Sequence, residues 1–87
     1  FGYGYGGAQV SMTNLVSNAG VVAADVTGVG TGRNGLAACS YGDDKGIFGY
    51  GSGTTAVTNL VSTVGVVSTD VTGVGTARVG LSACSFN

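Results

Sequence analysis

Asp25 and Asp70 are the first residues in this chain whose type could do chemistry. Two facing carboxylates can cleave a glycosidic bond, one giving a proton and the other acting as nucleophile or base. Each of these, however, opens the same phrase. Asp25-Val26-Thr27-Gly28-Val29-Gly30-Thr31 returns 45 residues later as Asp70-Val71-Thr72-Gly73-Val74-Gly75-Thr76, and an arginine follows each Asp, at Arg33 and Arg78. An acid and an arginine repeated at fixed spacing point to structural positions: the Asp caps a turn or pairs with the Arg of each repeat. The chain has no His and no Glu, so no His-activated nucleophile can be built. The sequence therefore predicts a protein that is not an enzyme and takes no cofactor.

The other chemical motifs are weak. Gly30-Thr31-Gly32-Arg33-Asn34-Gly35 matches a phosphate-cradling GxGxxG, but no helical pattern follows and Ala77 replaces the middle glycine in the second copy. Asp43-Asp44 beside Lys45 offers two carboxylates, short of the six to eight oxygens that Ca²⁺ takes, and reads as a solvated turn. No metal site is expected. Tyr3, Tyr5, Tyr41 and Tyr50 are the candidate ligand-binding residues, since a tyrosine ring can stack on a sugar while its hydroxyl keeps an edge wet. Packing is the competing role for these aromatics, and more so for the phenylalanines.

Composition limits the partners. Charged residues make up 8% of the chain against roughly 25% in ordinary domains, and the net charge is -1. Three basic residues cannot supply the phosphate contacts that dominate nucleic-acid affinity. No apolar run approaches the roughly 20 residues that cross a bilayer, so neither nucleic acid nor membrane insertion is expected. A hydrophobic content of 44% argues for order rather than disorder and predicts a closely packed chain with a Ser, Thr and Asn surface.

The elements that must position these residues come from the repeat itself. Thr13-Asn14-Leu15-Val16-Ser17 and Ala38-Cys39-Ser40 also return after 45 residues, whereas Phe1-Gly2-Tyr3-Gly4 returns after 47 as Phe48-Gly49-Tyr50-Gly51. Two extra residues therefore sit in a loop of the first copy. The chain divides into repeat units 1–42 and 43–87, the first lacking part of its N-terminal hairpin. Leu36–Tyr41, the Asp43-Asp44 turn and Ile47–Gly51 read as a hairpin, with Phe48 and Tyr50 on one face. Val10–Val16 and Ala56–Val61 read as a third strand, and Gly20–Ala24 and Val66-Val67 as a fourth. Thr27–Gly32 is a glycine-rich connection. Helical periodicity is missing, and interspersed glycines and β-branched residues oppose helices. The class is all-β.

An Arg before a small-residue strand, an acidic-glycine turn, an aromatic strand ending in glycines and two further strands resemble a kelch-type blade of a β-propeller. The likeness departs at Gly49-Tyr50-Gly51, where kelch blades carry adjacent glycines, and at the missing late Trp. It implies two four-stranded blades of about 45 residues, and equivalent cysteines, Cys39 and Cys84, too far apart for a disulfide. Beside Leu and Ala these read as small buried thiols. GDDKGIFGYG and DVTGVGTAR are also similar to repeats in long proteins of uncultured environmental bacteriophages, which implies an extracellular or virion setting. The alternative architecture is a β-solenoid or a β-filament.

In this register Asn87 aligns with Gly42 and Phe1 with Phe48, so both ends fall at the hairpin turn. Repeats of this kind need at least three copies for stability and rings need four to eight. The sequence thus predicts a chain that is not self-sufficient. Further copies of itself, or further repeats of a longer chain, complete it, with Gly80–Phe86 pairing head to tail against Phe1–Tyr5. The expected function is a structural or interaction module. The alternative is a multivalent glycan-binding, lectin-like propeller.

Overall fold

The computed structural model describes residues 1–53 and 55–86. The register assigned to Asn87 lies outside them. Among the described residues there are five strands and no helix, so the all-β class holds. β1 (Gly2–Tyr5) pairs antiparallel with β2 (Gln9–Thr13). β3 (Ala37–Tyr41), β4 (Lys45–Gly49) and β5 (Thr58–Val61) form a second antiparallel sheet in that order. This sheet crosses the 42/43 boundary drawn from the repeat.

The hairpin forms where turn chemistry places it. Gly42 and Asp43 carry φ of 60° and 70°, and Ala37 to Tyr41 pair with Gly49 to Lys45 in unbroken register. Glycine enters this left-handed region freely, and Asp tolerates it better than most side chains. The aromatic strand corrects the expectation at its far end. β4 begins at Lys45 and stops at Gly49, because Tyr50 and Gly51 take φ of 62° and 118°. Phe48 and Tyr50 therefore do not share a strand face. Tyr3 and Gly4 repeat the same distortion at 63° and 116°, and β1 is bulged there.

The third strands form, but shorter than the sequence suggests. The fourth strands, expected at Gly20–Ala24 and Val66-Val67, are reduced to single bridges: Val22 to Val16 and Val26 to Thr13, then Val67 to Val61 and Val71 to Thr58. Thr13 and Val16 are three residues apart, whereas Val22 and Val26 are four apart. The return segment thus carries one extra residue, a bulge that breaks the ladder. The second copy does the same, and the Asn14 and Asn59 amides bond to the bulged segments.

Burial corrects the expectation of close packing. Tyr3, at 9% exposure, is the one buried hydrophobic residue among those described. Thr13, Arg33 and Asn59 are the buried polar ones. Phe1, Tyr5, Leu15, Val64 and Phe86 are exposed. The accessible surface is 5417 Å², where a compact monomer of this mass shows about 4,600 Å². The fold is organised around a polar centre and leaves much of its apolar surface uncovered. Gly80–Phe86, expected as a strand, joins no ladder; its Leu81 and Ala83 line a hollow with Ala37, Ile47 and Thr58.

Candidate functional site

Arg33 stands at the end of the glycine-rich connection, and its two halves face different repeats. Its backbone carbonyl accepts from the Gly4 amide at 2.8 Å and its amide donates to the Val10 carbonyl, both in the first repeat. Its side chain enters the second repeat. Nη1 donates to the Val57 carbonyl at 2.8 Å, Nη2 donates to Asn59 Oδ1, and Nε turns back to the Thr31 carbonyl at 3.1 Å. The guanidinium carbon lies 4.6 Å from the centre of the Tyr3 ring, a cation–π position. A buried cation is tolerated only when its donors are satisfied. This one is fully buried, and among the described residues no buried side-chain polar atom lacks a partner.

Asn59 carries the network onward. Its amide donates to the Ser68 carbonyl at 3.2 Å and to Asp70 Oδ1 at 2.8 Å. Asp70 in turn accepts from the Thr31 amide and, at 2.8 Å, from the Thr31 hydroxyl. Thr31 and Arg33 of one repeat thus grip Asp70 and Asn59 of the next. The Asp70 carboxyl is held below its ordinary range chiefly by the Asn59 amide, with Thr31 and the Arg33 charge helping and burial opposing. Burial pushes the Tyr3 phenol up, and Arg33 only partly offsets it. Tyr3 donates its hydroxyl proton to the Val29 carbonyl at 2.9 Å.

Much of this arrangement exists twice. Asn14 donates to the Ala23 carbonyl at 3.1 Å and to Asp25 Oδ1 at 2.8 Å, matching Asn59. The Arg78 guanidinium lies 4.8 Å from the Tyr50 ring, and Tyr50 donates to the Val74 carbonyl at 2.5 Å. The Gly51 amide donates to the Arg78 carbonyl as Gly4 does to Arg33. Arg78 itself is exposed, and Asn14 is half-buried. Gly30 explains how the filled junction closes: at φ of 75° it lies so near Asp70 and Asn59 that a β-carbon there would come within 2.7 Å of Asn59 Nδ2.

The residues singled out from sequence fall as follows. Asp25, Arg33, Asp70 and Arg78 all belong to this repeated cluster. Tyr3 and Tyr50 are its stacking rings, and Tyr3 also packs on Phe48, with ring centres 5.1 Å apart. Tyr5 is 67% exposed and lines a groove with Phe1, Val10, Met12 and Asn14. Tyr41 is elsewhere, in a hollow with Cys39, Asp43, Cys84 and Phe86, with Lys45 over its ring at 5.8 Å. The four tyrosines do not converge on one pocket. The Asp44 carboxylate pairs with Lys45 at 2.9 Å, and no group of three metal-ligating side chains occurs among the described residues. The glycines of the GxGxxG match lead into strand β3. Gly32 sits against the Gln9 carbonyl, where a β-carbon would approach to 2.7 Å. Both thiols are free, but Cys39 is half-buried and Cys84 is exposed, which corrects their reading as buried.

Two participants escaped the sequence reading. Asn14 and Asn59 were visible as a recurring asparagine inside a strand, a poor strand former that recurs only for a reason. The left-handed backbone of Tyr3 and Tyr50 left no compositional sign. Chemically, the cluster presents hydrogen bonds already spent on one another, which suits holding a neighbour in register. No protein-family model, curated protein or solved structure matches the chain.

Proposed function

We propose that the chain is a non-enzymatic repeat module that builds or joins an assembly through copies of its own repeat, in an extracellular or phage-particle setting. Its units are kelch-like, propeller-type blades, completed head to tail by further copies. The observation that carries this reading is the Arg33 junction, in which one repeat plugs a fully buried arginine into the next. The repetition of the same donors and acceptors at Asn14, Asp25 and Arg78 supports it. So do the many exposed apolar residues, among them Phe1, Val64, Val74 and Phe86, which association with further copies would cover. With three basic and four acidic side chains, little charge repulsion opposes association.

The second reading, a multivalent glycan-binding propeller, draws on one feature: Tyr5 and Phe1 are exposed beside Asn14, an aromatic–amide combination that suits a sugar face. The equivalent of Tyr5 in the second repeat is Ser52, so the feature is not repeated. Light scattering on the purified chain, with a glycan array run in parallel, separates the two. A defined multiple of the 8.4 kDa chain mass with no glycan signal is expected. A monomer that binds glycans through Tyr5 would reverse the assignment.

A further inference from the structure

We infer that the Asn14–Asp25 corner is an open copy of the Arg33 socket, and that it receives Thr76 and Arg78 from a second copy of this chain. The inference rests on the self-assembly reading above and adds the atoms by which one copy would recognise another. The filled socket provides the template: Thr31 and Arg33 supply the donors, and Val57, Asn59 and Asp70 supply the acceptors. Moving 45 residues back along the acceptor side reaches Met12, Asn14 and Asp25. Moving 45 forward along the donor side reaches Thr76 and Arg78.

The acceptor half is held in the shape of the filled site, and the donor half keeps its ring stack. The Asn14 amide is anchored to Asp25 at the same 2.8 Å that anchors Asn59 to Asp70. Nothing among the described residues donates to Asn14 Oδ1, the atom equivalent to the Asn59 Oδ1 that accepts from Arg33. Among the described residues, Asp25 accepts from Asn14 alone, whereas Asp70 also holds the Thr31 amide and hydroxyl. On the other half, Arg78 is stacked on Tyr50 as Arg33 is on Tyr3, yet among the described residues none of its side-chain nitrogens finds an acceptor. One half has spare acceptors and a negative charge. The other has spare donors and a positive charge. Preorganisation of this kind removes ordering costs that would otherwise oppose binding.

The geometry points to an interface with unlike halves, so each copy can accept at one side and donate at the other. In the joined state Arg78 Nη2 bonds to Asn14 Oδ1, Nη1 bonds to the Met12 carbonyl, and Thr76 bonds to Asp25. Phosphate, nucleic acid or a free carboxylate would suit the Arg78 half alone and is repelled by the anionic, carbonyl-rich acceptor half, whereas a second copy satisfies both halves.

The test is sedimentation velocity on the 87-residue chain and two variants. Arg78→Ala can accept but not donate, and Asp25→Ala can donate but not accept. Both residues are exposed in the single chain, so circular dichroism should find each variant folded. Losing one partner of a desolvated charge contact should weaken self-association roughly thirty-fold or more. Each variant alone should therefore sediment as a monomer at concentrations where the unchanged chain is assembled. An equimolar mixture of the two should give a heterodimer and nothing larger. If both variants assemble as the unchanged chain does, the socket is overturned while self-assembly by strand pairing stands. If the unchanged chain is a monomer throughout, socket and self-assembly fall together. Should Asp25→Ala fail to fold, Arg78→Ala alone decides, because Arg78 is exposed in the single chain and its guanidinium is stacked on the Tyr50 ring.

Discussion

Arg33 and Asn59 are the largest side chains that the fold buries completely among the described residues, and they are bonded to each other across the junction between repeats. A chain with an ordinary apolar core would centre on Leu, Val or Phe. Here those residues are exposed or half-buried, and a guanidinium held by an asparagine, three carbonyls and a tyrosine ring is fully buried. The energetic consequence is asymmetric: the pair contributes modestly when intact, but removal of either partner strands a buried polar group.

Asn59→Ala should accordingly lower stability by about 2–3 kcal/mol, since it leaves Nη2 of the buried Arg33 without its acceptor and Asp70 without its main donor. Asn14→Ala breaks the equivalent local bonds in a half-buried corner with no arginine inserted. Its cost in the single chain should stay near 1 kcal/mol. Urea unfolding of the two variants under identical conditions measures the difference, and equal losses would count against a junction centred on Arg33.

Gly30→Ala and Gly75→Ala make a second contrast. Both glycines have positive φ, 75° and 82°, so each substitution carries a backbone cost of about 1–2 kcal/mol. Only Gly30 lies against Asp70 and Asn59; the nearest atom to a β-carbon on Gly75 is the Tyr50 hydroxyl, at 3.3 Å. Thermal unfolding should rank Gly30→Ala clearly below Gly75→Ala. Equal midpoints would mean that the junction does not close this tightly.

Acid should loosen the same junction. The Asp70 pKa is lowered in the folded chain, so its contribution is present above the unfolded value of 3.8. That contribution is lost as pH falls through the lower folded value. Asp70 is largely exposed, so the effect is small. Between neutral pH and about 4 the unchanged chain should keep this stabilisation, then lose it on further acidification. Asp70→Asn should start less stable and show a shallower acid dependence. A variant with the same acid profile would show that another carboxylate carries the transition.

The thiols give a prediction that follows from their unlike exposure. Cys84 should react with a thiol reagent ahead of the half-buried Cys39 in the native chain, as two resolved phases. Peptide mapping after partial labelling identifies the first site. Preferential labelling of Cys39 would contradict the placement of the segment around Cys84.

The parts of the fold set by local chemistry were legible from the residues. The repeated phrases, the all-β class and the hairpin turn at Gly42-Asp43 depend on side-chain type and glycine freedom, which sequence displays directly. The site residues Asp25, Arg33, Asp70 and Arg78 were legible as repeated positions. That Arg33 reaches across to the next repeat was not, because it depends on how the connection after Gly30 lies over Asp70. The fourth strands fall short of expectation for a related reason: a valine pair predicts extended backbone, but the extra residue before Val26 and Val71 shows only once pairing is known. The centre of the fold was the least legible, since Arg and Asn are ordinarily surface residues and composition assigned the interior to Val and Ala. Nor could residue type announce a left-handed tyrosine at Tyr50, which ends β4 and turns the ring away from the Phe48 face.

The account's central claim, that a buried arginine fastens one repeat to the next, is tested most directly by a pair of double-mutant cycles. One cycle combines Arg33→Ala with Asn59→Ala, and the other combines Arg78→Ala with Asn14→Ala, each followed by unfolding at concentrations where the chain is dilute. The account predicts a coupling of about 1.5–3 kcal/mol for Arg33 with Asn59. For Arg78 with Asn14 in the single chain it predicts none beyond roughly 0.5 kcal/mol. A negligible Arg33–Asn59 coupling, or equal couplings in the two cycles, would contradict it.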